Sequence, residues 1–262
     1  TLVGIGGERK IRLSVNGKLF TVGANGKTGI EMTLGNNITL VGRSADGNGN
    51  EENGQFNPLI DVFFANFTML DGSKITGNST IGLFGGSVAV ALTSSTFTMK
   101  GGAVTGNRNT GTGYMRVGGV GAAGNTNSII LEGGSISGNT GNADVYFASN
   151  SSCTLSGNAI IGTFSMLAYG AGTPYAVIAS GWSGSVTSLN LIGNTAAMND
   201  VIGFYNGNEV LKAAAGCTLT AADVAKFPLG DFISSTAASQ PIGDTHKLEL
   251  DTANNAIRLV EK

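Results

Sequence analysis

Phe97-Thr-Met-Lys-Gly-Gly-Ala-Val-Thr-Gly-Asn107 returns 32 residues later as Ile129-Ile-Leu-Glu-Gly-Gly-Ser-Ile-Ser-Gly-Asn139. An earlier copy reads Phe67-Thr-Met-Leu-Asp-Gly-Ser-Lys-Ile-Thr-Gly-Asn78, and a decayed one Cys153-Thr-Leu-Ser-Gly-Asn-Ala-Ile-Ile-Gly162. Starts at 67, 97, 129 and 153 give periods of 30, 32 and 24 residues. Self-similarity at such periods is the signature of repeat architectures. Within each copy Phe67/Met69, Phe97/Met99, Ile129/Leu131 and Cys153/Leu155 recur every second residue, so each pair falls on one face of a strand. Gly-Gly then breaks the strand, because glycine reaches positive φ without strain. A short second strand follows, with Ile75, Val104, Ile136 and Ile160 turned to the same interior. Gly77-Asn78, Gly106-Asn107 and Gly138-Asn139 make the next turn.

A third strand is expected before each unit, at Leu59–Phe64, Ser87–Leu92, Tyr114–Val117, Ala143–Phe147 and Tyr175–Ala179. Three short strands per period describe one coil of a parallel β-helix, an all-β solenoid. One coil cannot bury its apolar face, but stacked coils share a continuous core. Phe67, Phe97, Ile129 and Cys153 would then form one internal stack, and Asn78, Asn107 and Asn139 an amide ladder at a corner. The expected division is an N-terminal cap over 1–29, the repeats over 30–198 and a C-terminal cap over 199–262. In the first, Ile11–Val22 alternates around Asn16-Gly17 and reads as a hairpin. In the last, Thr220-Ala-Ala-Asp223 reads as a capping box opening a short helix that ends before Pro228. Lys247–Leu250 and Ala256–Val260 read as a terminal hairpin.

Composition supports this reading. Gly, Asn, Ser and Thr number 42, 25, 22 and 26 and make 115 of 262 residues, while charged residues are only 12%. Hydrophobic residues at 41% argue against disorder, and four prolines without a Gly-X-Y period exclude collagen. Fifteen basic and 17 acidic residues, without long blocks of either sign, give no electrostatic footprint for nucleic acid. No apolar stretch approaches the length that spans a bilayer as a helix, so no membrane insertion of this segment is expected. A start at Thr1 reads as a processed or truncated form. Cys153 and Cys217 share a Cys-Thr-Leu context and read as small inward hydrophobes, with one disulfide as the alternative.

Gly101-Gly-Ala-Val104 and Gly133-Gly-Ser-Ile136 resemble the Gly-Gly-Ala-Ile element of polymorphic outer-membrane proteins. Phe63-Phe-Ala-Asn66 and Phe147-Ala-Ser-Asn150 resemble its Phe-x-x-Asn partner. The repeated Gly-Gly-x-Ile-Ser-Gly-Asn is also similar to repeat-rich bacterial surface proteins of the pectin-lyase-like fold, including autotransporter passengers. The resemblance covers roughly residues 30–195. It implies a right-handed parallel β-helix at a bacterial outer-membrane surface or secreted, serving as adhesin, stalk or binding module. A host or matrix protein or a glycan is the implied partner. It supplies no catalytic residue and no cofactor.

Other motifs carry less. Gly119-Val-Gly-Ala-Ala-Gly124 matches a dinucleotide fingerprint, but a repeat strand follows where the fingerprint needs a helix. Gly26-Lys27-Thr28 lacks the first glycine of a phosphate loop. Asp46-Gly-Asn-Gly-Asn-Glu51 has calcium-loop spacing, yet Glu51 replaces the expected glycine and Asn57 the final glutamate. A solvated insertion is the plainer reading and calcium the alternative. His246 is the sole histidine and no Cys-x-x-Cys occurs, which argues against zinc. A carbohydrate-active enzyme is the alternative function, since glycosidic cleavage uses paired carboxylates. The one constellation that could serve is Asp61, Arg116 and Asp144, expected in an outward row. A glycan-binding module is the second alternative, resting on Tyr169, Tyr175 and Trp182 as ligand-binding aromatics. Against it, the plainer reading of Trp182 is a large aromatic that covers an end of the core. Thr68, Thr98 and Thr154 recur outward as in an ice-binding array, but Ile130 and the unequal periods would spoil its flatness. The expectation is a non-enzymatic scaffold.

Overall fold

The computed structural model describes residues 1–13, 17–43, 54, 57–81, 87–124, 126–168, 172–193, 206–234 and 238–262. The protein is nearly all β, with long parallel sheets, as a β solenoid requires. Among the described residues, one sheet has nine strands. Glu31–Leu34, Asn66–Met69, Thr96–Met99, Ser128–Leu131, Ser152–Leu155, Ala176–Ile178 and Glu209–Ala213 lie side by side in chain order, each parallel to the next. The repeat positions coincide: Met32, Phe67, Phe97, Ile129, Cys153 and Ala176 are successive partners. All but Met32 are fully buried, and the Phe67 and Phe97 rings lie 5.8 Å apart.

The second sheet has fourteen strands in two arms that converge. One arm holds Arg9–Arg12, Ile38–Val41, Lys74–Thr76, Ala103–Thr105 and Ser135–Ile136; the other holds Phe20–Val22, Ile60–Phe63, Val90–Thr93, Val117–Ala122 and Ala143–Ala148. Both meet on Ile160–Leu167. Its Ile160 and Ile161 pair with Ser135 and Ile136, while Phe164–Leu167 pair with Val145–Ala148. Each repeat up to residue 148 thus spends two strands on this sheet, and later repeats spend one. The cause is in the sequence. The decayed copy runs Ile160-Ile-Gly-Thr163 without a Gly-Asn corner, so nothing turns the chain and the two strands fuse. Ser185–Gly193 and Leu229–Ser234 continue the fused sheet, so both ladders run past residue 198.

Glycine is required at the turns. Gly72, Gly102 and Gly134 each lie three residues beyond the buried Met69, Met99 and Leu131, with φ of 71°, 85° and 78°. Asn37 holds the equivalent place after Leu34 with φ 60°, as asparagine tolerates this region better than other residues. A Cβ on Gly134 would lie 2.6 Å from the Gly102 carbonyl oxygen, so stacking adds a steric demand to the conformational one.

Four expectations are corrected. Ile11–Val22 is not a hairpin: Arg9–Arg12 pairs in parallel with Ile38–Val41, and Phe20–Val22 with Ile60–Phe63, at opposite ends of the forked sheet. Alternation around a turn signal fixes faces, not partners. The third strand expected at Tyr114–Val117 runs instead over Val117–Ala122. Met115 packs outside it in a second apolar cluster with Tyr146, whose hydroxyl donates to Met115 Sδ at 3.1 Å. Ala176–Ile178, expected as a third strand, extends the nine-stranded sheet on Cys153–Leu155. Ile160 is half exposed at 49% while Ile161 is buried, a one-residue shift within the decayed copy.

At the C-terminal end Ala221–Val224 is helical, with the capping box between Thr220 and Asp223 formed. His246–Asp251 and Ala256–Glu261 form the antiparallel hairpin expected there, and Ala256–Glu261 runs antiparallel to Glu209–Ala213. Both cysteines are free, Cys153 buried and Cys217 partly so.

Candidate functional site

The Asp61–Arg116–Asp144 row does not exist. Asp61 pairs in register with Ala91, which leads through Gly121 to Tyr146 rather than Asp144. Lys18 forms an ion pair with Asp61. Arg116 lies beside Asn142, whose Oδ1 accepts its backbone N–H at 2.9 Å. Asp144 is only 5% exposed and is committed to structure. Asn78 N–H donates to Asn107 Oδ1 at 3.1 Å, and Asn107 N–H and Nδ2 donate to Asn139 Oδ1 at 3.1 and 2.9 Å. Asn139 N–H and Nδ2 donate in turn to Asp144 Oδ1 at 3.0 and 2.8 Å, and Thr163 N–H to Asp144 Oδ2 at 2.8 Å. The expected asparagine ladder is present, and Asp144 terminates it where the two arms fuse.

A second corner ladder escaped the sequence reading. Ala65 N–H donates to Ser95 Oγ at 3.1 Å, and Ser95 N–H to Asn127 Oδ1 at 3.1 Å. Ser95 and Asn127 each stand one residue before a strand of the nine-stranded sheet. Their side chains differ, so only that position was available as a signal.

Of the three aromatics named from the sequence, Trp182 is buried and Tyr175 exposed. Trp182 is 6% exposed and stacks on Phe227 with centroids 6.3 Å apart. Lys226 Nζ donates to its carbonyl oxygen at 2.9 Å and to Asp223 Oδ1 at 3.0 Å, tying the short helix to this turn. Burial raises the Asp223 carboxyl, but hydrogen bonds from Thr220 and Lys226 outweigh it and hold the group below its ordinary value. An open cleft of about 290 Å³ lies beside them, lined by Ile178, Trp182, Cys217, Thr218, Leu219 and Asp223. Tyr175 is 41% exposed, with Lys212 Nζ 4.3 Å from its ring centroid. Tyr169 and the Asp46–Glu51 loop lie outside the described residues.

Gly119-Val-Gly-Ala-Ala-Gly124 holds no phosphate turn. Its first four residues are buried strand, where a Cβ on Gly119 would lie 2.1 Å from the Asp144 carbonyl oxygen and one on Gly121 1.9 Å from Ser87 Oγ. These glycines admit close neighbours.

The most regular surface is the outward face of the nine-stranded sheet. One column runs Thr33, Thr68, Thr98, Ile130, Thr154, Val177, each the register partner of the next. Beside it, two residues earlier on each strand, runs Asn66, Thr96, Ser128, Ser152. Asn66 and Ser152 are exposed and the others partly exposed. The unequal periods leave the register intact, because the extra residues fall in turns and in the forked sheet. Charge stands at the margins of these columns: Glu31 is beside Asn66, Lys212 is beside Val177, and the exposed Lys100 and Glu132 lie two residues beyond Thr98 and Ile130. No protein-family model, curated protein or solved structure matches the chain.

Proposed function

We propose that the chain is a non-enzymatic scaffold, a right-handed parallel β-helix of the bacterial surface or secreted kind, acting as a stalk or adhesive binding module. The observation that carries this reading is the unbroken in-register stack. Equivalent side chains recur on successive strands from Glu31–Leu34 to Glu209–Ala213, which makes a stiff body with one long regular face. The order of strands, one in the nine-stranded sheet followed by two in the arms of the forked sheet, supports coils wound about one core. The commitment of Asp144 to the asparagine ladder supports a structural use of a carboxylate that the catalytic alternative needs.

The test is a glycan-array screen and a glycan-degradation screen on one purified sample. No turnover of pectin, other uronates or neutral glycans is expected, with or without calcium. Reproducible cleavage that disappears in Arg116→Ala or Asp144→Asn, with the fold retained, would replace this reading by the carbohydrate-active enzyme.

A further inference from the structure

We propose that the outward face of the nine-stranded sheet binds ice, its ligand the ordered water lattice at a crystal surface. The inference rests on the scaffold reading and names the ligand of its regular face.

Three features of that face select this ligand. The first is the grid. Neighbouring strands lie about 4.8 Å apart, and side chains two residues apart on one strand are separated by about 6.7 Å. Asn66/Thr68, Thr96/Thr98, Ser128/Ile130 and Ser152/Thr154 therefore form a two-column lattice over four successive strands. Its dimensions are close to the repeats of oxygen atoms on a prism face of hexagonal ice.

The second feature is stiffness. Every residue of the longer column, Thr33, Thr68, Thr98, Ile130, Thr154 and Val177, is β-branched. Branching at Cβ restricts χ1, so methyl groups and hydroxyls are positioned before contact and little freedom is lost on binding. Behind them Phe67, Met69, Phe97, Met99, Ile129 and Leu131 are buried and hold the sheet from beneath. Ile130 fits this pattern, since it supplies a methyl group where the neighbouring threonines do.

The third feature is neutrality. From Asn66 to Thr154 neither column carries a charge. A charged side chain would hold its own hydration shell, which does not match a crystalline lattice, and stripping that shell is costly. The two columns bring no charge of their own to a neutral lattice, and Lys100 and Glu132 stand beyond their edge, where the Gly-Gly turns begin. A neutral polysaccharide is the competing occupant, but the four central strands present no aromatic ring in these columns for a sugar to stack on.

The experiment measures thermal hysteresis and ice-crystal shaping for the purified chain, for Thr98→Lys and Thr154→Lys, and for Thr105→Lys as a control on the forked sheet. Circular dichroism and melting establish that each variant is folded. The expected result is a hysteresis gap and faceted crystals for the unaltered chain and the control, with both lost in Thr98→Lys and Thr154→Lys. A chain that neither shapes ice nor shows a gap overturns the proposal, as does a gap unchanged in the two face variants. Glycan binding abolished by Thr98→Lys, without ice activity, overturns it and leaves the scaffold reading standing. Glycan turnover would remove the scaffold reading itself.

Discussion

Two buried polar side chains set the residue-scale expectations. Asp144 accepts three hydrogen bonds, from Asn139 N–H, Asn139 Nδ2 and Thr163 N–H. Asp144→Ala would leave those donors without the carboxylate, and a bond to a charged acceptor contributes about 1.5–3 kcal/mol. A loss of about 2–4 kcal/mol in urea unfolding is expected, and a change within about 0.5 kcal/mol would show that the ladder end is not structural. His246 is the second case. It is 4% exposed, Nδ1 lies 2.7 Å from Thr245 Oγ1, and Nε2 is buried without a hydrogen-bond partner among the described residues. Burial lowers its pKa, against an opposing pull from Glu261. The unfolded chain therefore takes up the proton first as pH falls below about 6.5, and stability declines from there until the folded form also protonates. The slope is at most about 1.4 kcal/mol per pH unit. Asp223 and Asp251 are held below their ordinary values, so their contributions are lost only in more acid solution. Urea midpoints should drop between pH 7.5 and 5.5 in the parent chain and much less in His246→Gln; equal drops would exclude this histidine as the source.

At the scale of the element, the informative unit is the strand–turn–strand repeat. Phe97 sits between Phe67 and Ile129, so Phe97→Ala should cost about 3–5 kcal/mol and Phe97→Asp should abolish folding. Gly134→Ala places a Cβ at φ 78° and against the Gly102 carbonyl oxygen, and a loss of at least about 1–2 kcal/mol is expected. Calorimetric melting of the three variants checks both statements, and native-like stability in Phe97→Asp would defeat the interior assignment. These positions were readable because period-two alternation and Gly-Gly turns are local signals. What was not local was not readable. The residues from Ile11 to Val22 alternate as a hairpin would, yet the two strands pair with different partners at the two ends of a forked sheet. Tyr114–Val117 looked like a strand because the covering segment and the strand it leads into are both apolar. Asp144 looked like an outward acid because alternation was counted from an assumed register, and the fusion of the arms at Ile160–Leu167 turns it inward to the asparagines. The regular outward face was half legible. Its threonines were visible, but unequal periods hid a register that only the pairing of strands reveals.

At the scale of the whole molecule, a stack of parallel strands has a problem that a closed fold lacks: its ends present unpaired backbone and open core. The C-terminal end meets it with a change of direction. Ala256–Glu261 lies antiparallel on Glu209–Ala213 and buries Ile257 and Leu259, while His246–Asp251 forms the outer edge with Lys247 and Glu249 exposed. Arg258 fastens the hairpin, with Nε 2.5 Å from Asp251 Oδ2 and Nη2 3.1 Å from Glu209 Oε1. On the other sheet Gln240–Pro241 runs antiparallel to Leu229–Ser234, and Pro241 has no N–H to offer a further strand. Charges and proline on edge strands are devices against edge-to-edge pairing. Removing residues 238–262 would uncover Val210, Leu211 and Phe232, all buried in the intact chain, together with the backbone edges beside them. The truncated chain should associate in a concentration-dependent way, read as a rising mass by size-exclusion chromatography with light scattering, and should melt below the parent. Arg258→Ala should weaken the end without opening it, lowering the melting temperature while the mass stays that of the parent. A truncated chain that associates no more than the parent and is equally stable would show that the stack ends at Glu209–Ala213 and Leu229–Ser234 without needing a cover.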